Sequence, residues 1–415
     1  MKRRAIICGG SIGGLFSALF LRQAGWDVVL LERADVELAG RGAGIVTHDV
    51  LNRLIVKAGA PIQDLGVQVS ERVVFDRSGG VVTRTDFPQV VTSWDRVHSL
   101  LRAQMPPNSY RLGQSVTGYE DGPDGVCVTL ANGEMIEGDL LVGADGFRSA
   151  VRAQMQPAIA PLYSGYVVWR ALTAEAELSP EVRETVFPYF SLYAPSGTQV
   201  VGYPIAGPRN DLRQGRRRYN FVWYVPVSRA ELDLKLTDAT GHRHAISIPP
   251  PMVTDAVLAE GVALAKGLLP PPFVEILDRS ERPFFTPIYD HIAPYFAAGR
   301  VALTGDAACV ARPHVGMGVT KAACDAEALA RHLSGDQPIA QALAAYNTER
   351  QPQGLLAVET ARRLGTLMFN APGDVGNQDG RSNPNLRAIL HETAVVPGSA
   401  SCFFNAATDQ NLSIA

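Results

Sequence analysis

The chain predicts an α/β fold in which a parallel sheet, assembled from distant segments, is interleaved with a β-rich unit. Three observations carry that expectation. A short apolar strand, Ala5 to Cys8, runs into Gly9-Gly10-Ser11-Ile12-Gly13-Gly14 and then into helical periodicity. A buried strand ending at Val142 breaks at Gly143 and leads through Asp145 into a helix near Ser149. Further on, Gly305-Asp306-Ala307-Ala308 is followed by Pro313-His314-Val315-Gly316-Met317-Gly318.

The N-terminal segment reads as a βαβ unit. Leu15, Phe16, Ala18, Leu19 and Leu21 give the helix, which stops at Gly25, and Trp26 to Leu31 is the next strand. That strand ends in Glu32, 23 residues (32 − 9) after the first glycine. An acid roughly 20 residues beyond a glycine-rich turn is suited to accept hydrogen bonds from an adenosine ribose. The glycines admit a tight turn and let backbone N–H groups approach a pyrophosphate at the helix N-terminus. Ser11 stands where the G-x-G-x-x-G pattern has its middle glycine; it is small and brings a hydroxyl donor.

The second glycine-acid segment begins 296 residues (305 − 9) after the first. A nicotinamide dinucleotide site is usually complete within one domain of about 150 residues. Two grips so far apart predict one long cofactor held at both ends, which points to FAD.

Bulk properties limit the alternatives. With 415 residues there is room for two or three domains, and 38 basic against 41 acidic residues give a net charge of −3. No basic field is present to attract nucleic acid or an anionic membrane. The densest basic run, Arg216-Arg217-Arg218, reads as a solvated loop before the strand Tyr219 to Tyr224. The five cysteines, Cys8, Cys127, Cys309, Cys324 and Cys402, show no C-x-x-C spacing, so neither a zinc site nor a disulfide framework is expected. No metal site is predicted, and with no signal peptide or apolar run of about 18 residues a cytoplasmic, soluble protein is expected.

The segments GGSIGG (9–14), GDLLVGADGFRSAVR (138–152), and LTGDAA (303–308) with PHVGMG (313–318) together resemble the signatures of the FAD-dependent aromatic hydroxylases of the para-hydroxybenzoate hydroxylase type. The likeness spans about residues 1 to 365. It implies a Rossmann-like FAD-binding domain of the glutathione-reductase type over 1–67, 93–161 and 286–365. A β-sheet substrate domain would take 68–92 and 162–285, and a C-terminal loop and helix extension 366–415.

Carried over residue by residue, the resemblance implies that Gly9, Ser11, Ile12, Gly13 and Gly14 hold the pyrophosphate, with Glu32 on the adenosine ribose and Arg33 beside it. Asp145 would approach the pyrophosphate and the nicotinamide donor; a turn-stabilising role at the strand end is its other reading. Asp306 would bind the ribityl chain or nearby hydroxyls, and Pro313, Gly316 and Gly318 would frame the flavin ring. Arg41, Gly42 and Gly44 resemble the loop lying along the flavin. One of Arg96, His98 and Arg102 would face the cofactor. Cys309 stands where the family usually has histidine and reads as a small helix-start residue; Lys321 to His332 reads as a helix beneath the cofactor.

Glu71 to Phe75, Tyr166 to Trp169, Gln199 to Tyr203 and Tyr219 to Val225 read as strands of the substrate domain. Tyr163 to Arg170, Tyr203-Pro204-Ile205, Phe221 to Tyr224 and Ala311 to His314 resemble the dihydroxypyridine hydroxylase branch of the family, which implies an electron-rich N-heteroaromatic substrate. His48 resembles in position a substrate-contacting histidine of the hydroxynicotinate hydroxylases and is also readable as a residue preceding the helix Leu51 to Val56. Tyr203, Trp223 and Tyr224 are candidates for the pocket wall, although Trp223 and Tyr224 point to opposite faces of a strand. His314 is either a site or a loop residue, and Arg170 is readable as a partner for an acidic substrate group but is expected at the rim.

The resemblance implies that NADH or NADPH reduces the flavin, that O2 adds at its C4a carbon, and that the distal oxygen of this hydroperoxide passes to a ring carbon activated by an ortho or para hydroxyl. The expected partners are a small aromatic substrate and, because family members are often dimers, a second copy of the chain. A phenolic or purine hydroxylase and a non-oxygenating flavoprotein are the competing readings. From Asn370 onward a long loop is expected, with a short helix around Leu386 to His391.

Overall fold

The computed structural model describes residues 2–38, 44–369 and 383–397. Arg41 and Gly42, and the predicted loop 370–382, lie outside them. The predicted mixed α/β class is what is seen, in three sheets.

The first sheet has six strands, in the order Ala297–Ala298, Val301–Leu303, Leu140–Gly143, Arg4–Cys8, Asp27–Leu31 and Tyr110–Arg111. Its central strands are apolar and buried on both faces, as a parallel sheet covered by helices requires. Cys8 is in register with Gly143, and Gly143 with Leu303, all in parallel pairs. The three glycine-acid motifs therefore leave the sheet side by side at its carboxyl edge, where open α/β sheets hold their ligands. The helix Ile12–Gln23 packs against the helix Gly318–His332. A Cβ on Gly13 would sit 3.4 Å from the Ala322 methyl, so the two helices meet closely.

The second sheet has nine strands: Cys309–Val310, Phe284–Ile292, Leu162–Ala174, Arg218–Pro226, Gln199–Ile205, Phe190–Tyr193, Val67–Phe75, Val81–Ser93 and Gly44–Val46. Alternation sorts its side chains. Trp169, Phe221 and Trp223 enter one core with Phe273 and Leu277 from the helix Pro271–Asp278. Val168, Val201, Val222 and Tyr224 face the other way. Strands Val81–Ser93 and Phe284–Ile292 run continuously through positions 92/93 and 285/286, where the sequence suggests domain boundaries, so the two units share strands. A third, antiparallel sheet is formed by Val116–Asp121, Val126–Leu130 and Met135–Gly138.

The helix Ile339–Phe369 packs against the helix Gly318–His332 and the Pro313–Val315 turn, and the short helix Leu386–Glu392 packs on it. No helix among the described residues is long and apolar enough to cross a membrane.

Candidate active site

Two cavities of about 730 and 520 Å³ adjoin, with Phe147, Ser247 and Thr286 lining both. The larger is walled by the N-terminal turn and the Asp145 loop. The smaller lies between the Asp306–Gly318 segment and the nine-stranded sheet.

In the larger cavity the glycines meet the demands of close packing. A Cβ on Gly9, which has φ +107°, would lie 2.4 Å from the Ala144 carbonyl oxygen. One on Gly14 would lie 1.8 Å from the Gly9 carbonyl oxygen. Ser11 precedes the helix, lines the cavity and makes no capping hydrogen bond with its hydroxyl. Ile12 is buried beneath the turn. The Glu32 carboxylate accepts from the Gly10 N–H (2.7 Å) and the Ala34 N–H (2.9 Å), which locks it at the cavity wall with acceptor capacity to spare. Arg33 is exposed along the same wall.

Asp145 also lines this cavity, with its carboxylate turned to the following helix. It accepts from the Ser149 hydroxyl (2.5 Å) and the Ala150 N–H (2.7 Å). Burial pushes its carboxyl up, against the pull of these hydrogen bonds. The turn-stabilising role and the position at the cavity coexist.

Of the three candidates beside the cofactor turn, His98 adjoins it: its Nε2 lies 3.3 Å from the Gly10 carbonyl oxygen, and its ring stacks on Trp94, a lining residue. Arg102 lines neither cavity. Its guanidinium pairs with Glu37 at 2.9 Å and lies over the Tyr110 ring. The Tyr110 hydroxyl donates to the Gly10 carbonyl (3.0 Å), a contact without a local sequence signal because it spans 100 residues.

In the smaller cavity Asp306 is exposed, and its carboxylate makes no hydrogen bond to another described residue. Its position is set from below. Lys321 Nζ donates to the Gly305 carbonyl (2.6 Å), the Gly305 N–H donates to Asp325 (3.0 Å), and Arg350 pairs with Asp325 at 2.9 Å, all out of solvent. Pro313, Gly316 and Gly318 line the cavity; Gly316 takes a left-handed turn with φ +61°, and a Cβ on Gly318 would point into open space. Gly44 lines it too, and the reason for its glycine is protein packing: a Cβ there would lie 2.6 Å from the Tyr203 ring. Cys309 is fully buried and its thiol is pushed up to about 11 by burial, so it carries no thiolate chemistry.

Tyr203 and Tyr224 wall this cavity, and Tyr203 stacks on Phe190 with centroids 5.4 Å apart. Trp223 does not belong to it: its ring is in the opposite core, where Nε1 donates to Thr198 Oγ1 at 2.8 Å. The period of two along the strand decides between them. Arg170, expected at the rim, lines the wall itself and has no acidic partner among the described residues.

His48 and His314 both lie behind the lining. His48 precedes the helix Asp49–Lys57; its ring bonds Thr320 Oγ1 (2.9 Å) and the Ala394 carbonyl (3.3 Å). The carbonyl can only accept, which assigns the proton to Nε2 and leaves Nδ1 to accept from Thr320. Burial lowers this imidazole to about 4. His314 is buried, 2.8 Å from the Tyr166 hydroxyl and 4.6 Å between centroids from Tyr224. Neither histidine lines the cavity; His48 borders its wall through Ala394 and His314 through Tyr224.

A wall segment that sequence reasoning missed comes from the far end of the chain. Thr393 and Ala394 line the cavity. They are fastened by the fully buried Arg72, which donates to the Leu390 and Thr393 carbonyls (2.8 and 2.7 Å), and by the Ala394 N–H donating to His314 O (2.7 Å).

The site thus offers a phosphate-sized glycine turn, a wall carboxylate with acceptor capacity to spare, and an aromatic-walled slot beside a second glycine turn. That is the donor set and shape an FAD molecule needs. A family model described as FAD binding domain-like matches residues 163–290. Fold and site together resemble those of the FAD-dependent flavoprotein monooxygenases of the aromatic hydroxylase class.

Within that class the chain is similar to 2,6-dihydroxypyridine 3-monooxygenase of Paenarthrobacter nicotinovorans, 29% identical over 88% of this chain and 91% of the relative. The structure of 2,6-dihydroxypyridine-3-hydroxylase from Arthrobacter nicotinovorans superposes with a TM-score of 0.84 at 29% identity, over 91% of this chain and 95% of the other. Aurachin C monooxygenase/isomerase of Stigmatella aurantiaca is 29% identical over 87% of this chain and 88% of its own. The fold is shared as well with Klebsiella pneumoniae HpxO, solved with FAD and uric acid (TM-score 0.74, 23% identity, 89% and 90% coverage).

Proposed function

We propose that this chain holds FAD across the two adjoining cavities, takes electrons from NADH or NADPH, and uses O2 to hydroxylate an electron-rich aromatic ring, an N-heteroaromatic such as a hydroxypyridine. The observation that carries this reading is the junction of the cavities at Phe147, Ser247 and Thr286, which joins a pyrophosphate turn to an aromatic-walled slot. The likeness to 2,6-dihydroxypyridine 3-monooxygenase supports the choice of ring.

Gly9, Ser11, Ile12 and Gly13 present the helix start to the pyrophosphate, Glu32 takes the ribose hydroxyls, and Arg33 flanks them. Asp145 lines the larger cavity and Asp306 the smaller, and Pro313, Gly316 and Gly318 leave space for the ring system, with Gly44 alongside. Arg41, outside the described residues, keeps the flavin-loop role that the resemblance implies, and Arg102 would act through Glu37 beside the adenosine end. When bound, FAD supplies the reduction and oxygen chemistry.

The residues of the chain orient the substrate and exclude water. Tyr203, Tyr224, Val201 and Val222 give the slot an apolar face, and Thr393–Ala394 closes its side. His48 and His314 are positioning residues in this reading: one holds Thr320 and Ala394, the other Tyr166 and the flank of Tyr224. A dry, fixed slot matters because a misplaced ring lets activated oxygen escape as peroxide instead of reaching carbon.

The test is a panel of hydroxypyridines, nicotinate derivatives, purines and phenols given to the FAD-loaded protein with NADH or NADPH. The expected result is ring-stimulated NAD(P)H oxidation with one hydroxylated product per NAD(P)H and label from 18O2 in the product. FAD-loaded protein that yields only peroxide with every ring overturns the hydroxylase reading. A phenol or purine preferred over every pyridine replaces the ring assignment alone.

A further inference from the structure

A lysine is buried where a helix is least suited to hold one. Lys321 stands three residues (321 − 318) into the helix Gly318–His332, and its side chain is only 1% exposed. A cation close to a helix N-terminus opposes the helix dipole, and burial strips it of water, so both its place and its surroundings cost stability. The hydrogen bond it donates to the Gly305 carbonyl could be made by a neutral donor. That bond alone therefore does not account for a charge at this position.

The charge is only partly balanced. Asp325 pairs with Lys321 at 3.6 Å, and the same carboxylate takes Arg350 at 2.9 Å and the Gly305 N–H at 3.0 Å. One buried anion thus serves two buried cations. Burial works against the ammonium form, but the Cys309 sulfur, Asp325 and Asp306 together outweigh it and hold Lys321 above the ordinary lysine range. Lys321 is charged at neutral pH, and it stands just behind the smaller cavity. Its Nζ is 2.6 Å from the carbonyl oxygen of Gly305, and the next residue, Asp306, lines that cavity together with Gly316 and Gly318.

We propose that Lys321 is an electrostatic positioning residue: it holds a positive potential behind the Gly305-Asp306 turn that favours the reduced form of the cofactor and so raises the midpoint potential of the bound flavin. This rests on the reading of the two cavities as the FAD site. A hydride from NADH or NADPH brings two electrons and one proton, which leaves the donor oxidised and the flavin with one more negative charge than before. Charge placed near a flavin is one way a protein tunes its electronics, and in a water-poor interior its influence is weakly screened. The bonds to Gly305 and Asp325 fix the ammonium in advance, so no reorganisation is needed when the flavin charge appears.

The experiment measures the midpoint potential of the FAD-loaded enzyme by anaerobic equilibration with a reference dye, and separately the affinity of the apoprotein for oxidised FAD. Both are repeated on Lys321→Met, Lys321→Gln and Tyr346→Phe. The first two remove the charge. The third removes an uncharged hydrogen bond, from the Tyr346 hydroxyl to the Leu303 carbonyl (2.7 Å), just before the same turn. We expect Lys321→Met and Lys321→Gln to weaken the preference for reduced over oxidised flavin about tenfold, a fall of about 30 mV for a two-electron couple. Tyr346→Phe should lower the melting temperature and leave the potential where it is in the wild type.

A wild-type potential in the Lys321 variants, or an equal fall in Tyr346→Phe, overturns the assignment to Lys321 and leaves the FAD site standing. Wild-type protein that binds no FAD overturns the reading of the cavities instead. Should Lys321→Met fail to fold, as judged by FAD content and melting temperature, Lys321→Gln, which keeps a donor for the Gly305 carbonyl, decides.

Discussion

The Tyr166 hydroxyl and His314 Nε2 lie 2.8 Å apart, with both side chains almost wholly out of solvent. Burial lowers the imidazole to about 3 and pushes the phenol up, so the pair stays neutral around pH 7. Assigning the phenol as donor to Nε2 puts the imidazole proton on Nδ1. Gly365 makes room for them, since a Cβ there would fall 3.1 Å from the Tyr166 oxygen. Tyr166→Phe leaves a buried acceptor without its donor. We expect a loss of about 1–3 kcal/mol in denaturant unfolding and a fall in product formed per NAD(P)H, because His314 borders Tyr224.

Acid should unfold the protein through its buried histidines. His48, His291 and His314 are held at about 4, 3 and 3 by desolvation. Their folded-state values lie below the ordinary 6.5, so the unfolded chain binds more protons. Stability is full above that value and is lost as pH falls from about 6.5 towards 3. Urea midpoints measured from pH 8 to 4 should be flat at first and then decline. His314→Gln should have a shallower decline, and an equal slope would show that this histidine does not contribute.

The N-terminal turn should respond very differently at two neighbouring positions. Gly14→Ala puts a Cβ against the Gly9 carbonyl oxygen and should displace the helix start, with loss of bound FAD. Ser11→Gly removes a hydroxyl that makes no capping bond. It should cost only a few tenths of a kcal/mol in stability and leave FAD affinity within about threefold, equivalent to less than 1 kcal/mol. Fluorescence titration of the apoprotein with FAD distinguishes these outcomes.

Trp223 and Tyr224 should separate stability from catalysis. Trp223→Phe loses the bond to Thr198 and leaves space in the core, for about 1–3 kcal/mol of destabilisation with KM unchanged. Tyr224→Phe should leave the melting temperature within a few degrees and raise KM or peroxide release. The reverse pattern would mean that the strand presents its other face.

Arg72 should control the far wall. It is fully buried without a carboxylate partner among the described residues; its two terminal nitrogens donate to two carbonyls of the C-terminal segment and to Gln89, and the guanidinium lies over the Phe87 and Phe190 rings. Arg72→Met should release residues 383–397 to proteolysis while FAD stays bound, and increase peroxide release. Unchanged protection of that segment would show that other contacts hold it.

Local sequence determined much of this protein. The glycine turns, Glu32 at the end of its strand and the Gly305-Asp306 turn are legible because each is fixed by sterics and hydrogen bonding within a few residues. The helices Ile12–Gln23 and Gly318–His332 follow from apolar periodicity in the same way. The placement of Arg102, His48 and His314 was not legible, because a residue's distance from a cavity depends on what packs in front of it.

Tertiary structure alone decided the rest. Parallel register brought residues 9, 145 and 306 to one sheet edge, strand pairing turned Tyr224 towards the cavity and Trp223 away, and Arg72 drew Thr393 and Ala394 into its wall. The physical reason is one of range. A turn or a helix is chosen by neighbours along the chain, whereas a cavity is what remains between elements once all of them have packed.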